Sequence, residues 1–321
     1  MIEQGIRGFA TQFEYEPEIV NAEKLSKKDV TIVAGMGGSH LCAGLVQTWD
    51  PKLDIVIHSD YGFDSIPDSV LSDSLIVASS YSGNTEEVID VFEKGIEKGL
   101  SVAVLTAGGK LLELAERHEV PYIEIPNTGI QPRLALGYST RGLLKLMGNE
   151  KGLLETSQLV SQLKPDELEK QSKALAEKLQ GKIPVIYSST RNSAIAYNWS
   201  IKFHESAKIP AFHNVFPELN HNEMTAFDVV ESTKKLSEDI AFVFLTDKED
   251  HPRIQKRMEV LERMFEDRGL VVETVAMEGS SVFDKLFSSL LLADWVAWYT
   301  AQYYNTIPEK VPMIEEFKKL I

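Results

Sequence analysis

Short runs of β-branched and other apolar residues alternate along this chain with longer segments whose apolar positions recur at helical spacing. VTIVAG (30–35), LDIVIHS (53–59), SLIVASS (74–80), SVAVLTAGG (101–109) and PYIEIP (121–126) each read as buried strands. Between them lie segments such as EEVIDVFEKGIEKGL, where Val88, Phe92 and Ile96 share one face and charged residues fill the others. Strand, helix, strand in repeated order predicts an α/β fold, a doubly wound parallel sheet with helices on both faces. The pattern lapses across a polar, strandless stretch and resumes with IPVIYSS (183–189), IAFVFLT (240–246) and VVETVAM (271–277). Two α/β domains are expected, residues 1–150 and 181–321, with a helical linker at 151–180.

Composition narrows the partners. At 321 residues and 43% hydrophobic, the chain is long enough for two cores. A formal charge of -15 repels phosphate backbones and anionic lipid, so neither nucleic acid nor a membrane surface is expected as partner. A small anion remains admissible, because a few donors in a cleft outweigh a distant, screened surface charge. The single cysteine, Cys42, cannot form an internal disulfide, and the first twenty residues lack the basic start and apolar core of a signal peptide. Both point to the cytoplasm. SSLLLADWVAWYTAQYY is interrupted by Asp294 and reads as a core helix, with Trp295, Trp298 and Tyr299 in core or dimer interface. His40, His58 and His251 have no partners at ligand spacing, and no metal is expected.

The chemistry gathers where strands end. SSYSGNTEEV (79–88) places four hydroxyl side chains and Gly83 between a strand and a helix, the position where open parallel sheets collect ligands. Backbone amides at such a helix start bind an anion without any lysine, and Ser80, Ser82 and Thr85 add hydroxyl donors while Gly83 permits close approach. The plainer alternative is a helix cap, with Ser82 or Thr85 capping and Glu86 and Glu87 complementing the dipole. VAGMGGSH (33–40) forms a second such turn, with Gly37 and Gly38 before Ser39. It lacks the third glycine and the strand-end acid of a dinucleotide fingerprint. Two hydroxyl-bearing turns at neighbouring strand ends instead suggest one phosphate held between two helix starts.

The segments GMGGS, SYSGNTEE, GGKLLELA, QPRLALGY, AKIPAFHNVFPELNHNE and VPMIEEFKKLI, in this order, resemble the bifunctional phosphoglucose/phosphomannose isomerases over nearly the whole chain. SYSGNT is similar to the signature of the sugar-isomerase (SIS) domain. The resemblance implies two SIS domains, each doubly wound and flavodoxin-like, in a homodimeric aldose–ketose isomerase without metal or other cofactor, acting on a phosphosugar. It implies that Ser39, Ser80, Ser82 and Thr85 hold the substrate phosphate. Glu205 in FHESAK matches the base, His221 in NHNE a ring-opening histidine supplied by the partner subunit, Arg133 in QPR an arginine near the reacting carbons, and Lys318 in EEFKK a lysine near the ring oxygen, with Lys319 one residue away.

These residue types suit that chemistry. One carboxylate can move a proton between two adjacent carbons, a fixed guanidinium stabilises the enediolate, and a histidine titrates where ring opening needs acid and base. Each also has an ordinary reading: Glu205 between Lys202 and Lys208 as a solvated helix face, His221 as a loop tether, Arg133 as a loop ion pair, Lys318 as a surface lysine. Asn198, His204 and the MTAFD after Glu223 depart from the family pattern near the base and the histidine, which bears on sugar preference. A non-catalytic phosphosugar sensor, or an isomerase for another phosphorylated sugar, is the alternative function.

Overall fold

Strands β1 (Val30–Ala34), β2 (Asp54–His58), β3 (Ser74–Ser80), β4 (Ser101–Thr106) and β5 (Tyr122–Glu124) form one all-parallel sheet in the order β2-β1-β3-β4-β5. The computed structural model describes residues 2–320. β3 is buried at all of its positions, as the middle of a sheet covered on both faces must be. On one face Ile32, Ile76 and Val104 cluster with Val88 and Phe92 of one helix and Leu111 and Leu114 of the next. On the other, a helix packs so tightly on β4 that a Cβ at Gly142 would lie 2.5 Å from Leu105 Cδ1. The β5 edge is closed by an isolated antiparallel bridge to Val20, with amide and carbonyl exchanged both ways with Tyr122 at 2.9 and 3.1 Å.

The helices run in chain order α1 (Ile2–Arg7), α2 (Leu41–Trp49), α3 (Asp68–Ser72), α4 (Glu86–Glu97), α5 (Gly109–Arg117), α6 (Leu136–Leu146), α7 (Glu150–Ser157), α8 (Leu159–Gln162), α9 (Pro165–Lys178), α10 (Ser193–Lys202), α11 (Pro252–Glu266), α12 (Val282–Tyr303) and α13 (Pro312–Phe317). The first compact unit is Gly8–Gln162, and the second joins α1 to the chain from Leu163 onward. In the second, β6 (Ile183–Ser189), β7 (Phe212–Phe216), β8 (Ile240–Thr246) and β9 (Val271–Ala276) form a parallel sheet ordered β7-β6-β8-β9. Its core is aromatic: Tyr187, Phe242 and Phe244 meet Phe265 of α11, with the Phe242 and Phe265 rings 4.5 Å apart.

Three expectations need correction. The segment 151–180 is not a linker of its own. α7 and α8 bury Leu153 and Leu159 within the first unit, whereas α9 lies against α12 in the second, where Trp295 Nε1 donates to the Pro165 carbonyl at 2.9 Å. The N-terminal boundary moves too, because Arg7 of α1 pairs with Glu169 of α9 at 2.9 Å. β4 ends at Thr106 rather than at residue 109, since Gly108 and Gly109 both take positive φ and turn the chain into α5. β7 was not legible as a strand; it is the outer strand of its sheet, with Phe212 and His213 exposed. Among the described residues no helix is long and apolar enough to cross a membrane.

Trp295 is fully buried and packs edge-on against Trp298, so this aromatic group belongs at least partly to the core. Beneath the second sheet Lys202 of α10 and Asp294 of α12 form an ion pair at 2.7 Å with both side chains 3% exposed or less. Breaking such a pair leaves an uncompensated buried charge. Lys202→Ala should therefore lower unfolding stability by ~3–5 kcal/mol in urea denaturation, and Lys202→Met with Asp294→Leu should recover most of it.

Candidate functional site

β1 and β3 are neighbours in register, Ala34 opposite Ala78, so the turns that follow them begin side by side. They are then joined. The Tyr81 amide donates to Ser39 Oγ at 3.0 Å, and Ser79 Oγ donates to the Ser39 carbonyl at 2.7 Å. Ser39 Oγ, used as acceptor by Tyr81, keeps its own proton to donate. Ser80 Oγ and Thr85 Oγ1 lie 2.8 Å apart, and the Gly83 amide donates to Ser80 Oγ at 3.1 Å. Two hydroxyl protons serve that one oxygen–oxygen contact, which leaves one for a ligand.

Of the helix-cap alternative, the two glutamates, Glu86 and Glu87, do stand in the first turn of α4, but the side-chain cap is not realised. Thr85, the cap residue of α4, makes no capping hydrogen bond through its side chain, and Ser82 Oγ instead accepts from Asn84 within the turn at 3.3 Å. The start of α4 thus keeps its positive end without a side-chain cap, which favours an anion. Gly83 has φ +68°, and a Cβ there would stand 1.7 Å from the Gly108 carbonyl oxygen. The close approach expected for a ligand is therefore also demanded by the neighbouring turn. Gly37 has φ +51° with open space where a Cβ would sit. At Gly38 a Cβ would lie 3.1 Å from the Arg133 backbone nitrogen, so the QPR turn is seated directly on the GMGGS turn. Arg133 itself is only 1% exposed. The first unit thus brings Ser39, Ser80, Ser82, Thr85 and Arg133 onto interlocked or abutting turns.

Glu205, His221 and Lys318 belong to the second unit. After Lys202 the helix α10 widens into a π turn, Phe203–Ala207, which carries Glu205. Such local widening recurs at functional sites because it re-aims one side chain. Glu205 is half-buried and faces a cavity of about 790 Å³ that is also lined by His204, Lys208 and Pro312–Ile314. Burial, and then the charge of Glu205, push the Tyr197 phenol upward. Of the residues that depart from the family pattern, His204 bonds the Ala211 carbonyl through Nε2 at 2.8 Å and Asn198 donates to the Ala194 carbonyl at 2.8 Å.

His221 ends a 3-10 turn, Glu218–His221, and is exposed. Its loop is tethered by Glu223, whose two carboxylate oxygens accept from Tyr187 Oη and Asn214 Nδ2. Burial and that carboxylate push the Tyr187 phenol strongly upward. Sequence reasoning missed Glu223 and Ser79 as organisers; the acidic end of PELNHNE and the first serine of SSYSGNT were the available signals. Lys318 caps the C-terminal end of α13 and is exposed, as is Lys319, so their surroundings do not separate the two. Among the described residues no group of three His, Cys, Asp or Glu side chains is placed to hold a metal.

The matching strand tips of the second unit carry a different chemistry. Lys285 Nζ lies 2.7 Å from Asp247 and 3.1 Å from Glu249, and Ser189 Oγ donates to Asp250 at 2.7 Å. Burial opposes ionisation of Asp247, yet the Lys285 ammonium and the Glu249 amide more than offset it and hold the carboxyl below its usual range. Carboxylates stand there where the first unit presents hydroxyls and uncapped amides.

The family described as the bacterial phospho-glucose isomerase C-terminal SIS domain matches residues 168–321. The chain is 31% identical to a bifunctional phosphoglucose/phosphomannose isomerase of Aquifex aeolicus, over 98% of this chain and 96% of that protein. It is 35% identical to the protein of the same name from Caldicellulosiruptor bescii, over 93% of this chain and 90% of that one. Among solved structures, the tagatose-6-phosphate ketose/aldose isomerase of Escherichia coli shares the fold with a TM-score of 0.71 at 13% identity, covering 96% of this chain and 94% of that one.

The two glycines of the paired turns separate backbone strain from steric overlap. Gly37→Ala should cost ~1–2 kcal/mol for its left-handed backbone alone. Gly83→Ala adds overlap with the Gly108 carbonyl and should cost at least about 3 kcal/mol. Thermal denaturation of both variants checks the order.

Proposed function

This chain belongs to the bifunctional phosphoglucose/phosphomannose isomerase family, and we propose that it interconverts glucose 6-phosphate and mannose 6-phosphate with fructose 6-phosphate. The observation that carries this reading is the pair of hydrogen-bonded strand tips, which offers hydroxyl protons and an uncapped helix start to one phosphate, in a chain that matches its relatives from end to end. Ser39, Ser80, Ser82 and Thr85 take the phosphate oxygens. Gly37, Gly38 and Gly83 give those turns their shape.

Glu205 is assigned as the base. It removes a proton from the carbon beside the carbonyl and returns it to the neighbouring carbon, through a cis-enediol. Negative charge that develops on oxygen between the two transfers is stabilised by the Arg133 guanidinium. The substrates are mostly cyclic, so ring opening needs a group that can both give and accept a proton near neutrality; His221 has that role, assisted by Lys318. Glucose and mannose phosphates share one enediol, and rotation about C2–C3 lets a single base serve both. Ring opening moves a proton from the C1 hydroxyl to the ring oxygen as the C1–O5 bond breaks, and isomerisation moves one proton between C2 and C1 and another between their oxygens, so the atoms balance without a co-reactant.

The active assembly is proposed to be a homodimer, with His221 contributed across subunits. We assign it to the cytoplasm, a reducing compartment in which the buried thiol of Cys42 persists unpaired.

In a coupled assay the purified protein should convert fructose 6-phosphate to both aldose phosphates; tight binding of fructose 6-phosphate without turnover would point to a sensor instead. Glu205→Gln should keep substrate affinity within a few-fold and lose about 10²–10⁴-fold in turnover, with loss of solvent deuterium incorporation at C1 and C2. Undiminished labelling in that variant removes Glu205 from its role.

A further inference from the structure

Lys208 closes the π turn that carries Glu205, and it does so in a conformation a lysine seldom adopts. Its amide donates to the Phe203 carbonyl, five residues back, and its φ is +61°. Glycine or asparagine is the ordinary residue at such a left-handed helix end. If the position required only the backbone shape, glycine would meet the requirement without strain. What the lysine adds is its ammonium.

That ammonium turns back on its own loop. Lys208 Nζ donates to the backbone carbonyl of Glu205 and reaches the Pro308 carbonyl at 3.5 Å. A second tie runs alongside, from Thr306 Oγ1 to the Ala207 carbonyl at 3.4 Å. Glu205 and Lys208 border the same cavity as Lys310 and Pro312–Ile314, which belong to the stretch that Pro308 introduces. One side chain therefore holds the peptide unit of Glu205 and joins the π turn to the segment that walls the cavity.

Resting on the assignment of Glu205 as base, we infer that Lys208 is a positioning residue for catalysis, an ammonium staple that fixes the Glu205 carboxylate relative to the cavity wall. A base displaced by a fraction of an ångström still allows substrate to bind but loses the alignment that proton transfer needs. The consequence is a separation of stability from rate. Removal of the staple relaxes the backbone while it slows the chemistry.

The experiment measures kcat, KM and Tm for Lys208→Gly, Lys208→Asn and Lys208→Arg, with Glu205→Gln in parallel. Gly and Asn both accept the left-handed backbone, so their Tm should stay level or rise, while kcat falls about tenfold or more and KM moves less than about twofold. Lys208→Arg should retain more of kcat than either, since it keeps a cationic donor on a long stem. A kcat within about twofold of the parent in both Lys208→Gly and Lys208→Asn overturns the inference, as does a fall in Tm that tracks the fall in kcat in both, which marks a merely structural lysine. If Glu205→Gln loses proton exchange while Lys208→Gly does not, only the staple is wrong; if Glu205→Gln keeps exchange, the base assignment fails and the staple with it.

Discussion

The hydrogen bond from the Tyr81 amide to the Ser39 hydroxyl is the contact that fixes the two strand-end turns of the first unit to one another, and the proposed phosphate site rests on it. Parallel pairing of β1 with β3 only brings the two strand ends near each other. The serine bond, with its companion from Ser79 to the Ser39 carbonyl, converts nearness into a fixed geometry. Within that geometry Ser80 and Thr85 share one hydrogen bond and the start of α4 keeps no side-chain cap, an arrangement that suits an anion. The turn bearing Arg133 leans on Gly38, so the guanidinium residue is set by the same arrangement.

The second unit repeats the architecture and changes the chemistry. At the ends of β6 and β8 the side chains are Ser189, Asp247 and Asp250, with Lys285 as the internal cation. An ion pair of this kind satisfies itself and leaves no surplus of donors for a phosphate. The residues assigned to proton transfer lie elsewhere in that unit, on the π turn, on the loop after β7 and beyond α13. On the proposed reading, one copy of the fold holds the phosphate while the other carries the base and the ring-opening histidine.

Much of the fold was legible because buried strands advertise themselves. β3 is apolar or small at every position and flanked by turn residues, and its place in the sheet follows. β7 was hidden for the opposite reason: an outer strand with Phe212 and His213 facing solvent carries no run of apolar residues, and the sequence around it reads as loop. α7 and α9 look alike in polarity, and only the buried Leu153 and the Trp295 bond to Pro165 assign them to different units. The hydroxyls of the two strand-end turns were readable from their place after a strand. The function of Gly83 was half readable, since positive φ is a sequence expectation but the passing Gly108 carbonyl comes from a segment some 25 residues away, a tertiary fact. The π turn could not be read at all, because it ends α10 and no helix follows it to reveal a shift of period.

The antiparallel bridge between Val20 and Tyr122 has a consequence beyond the sheet it borders. A parallel sheet that simply stopped at β5 would present a row of unpaired amides and carbonyls, ready to recruit a strand from another molecule. Here the chain's own N-terminal segment pairs with the first residue, Tyr122, of a strand only three residues long. On this side the protein offers little template for growth, and self-association into extended β aggregates is blunted at its source.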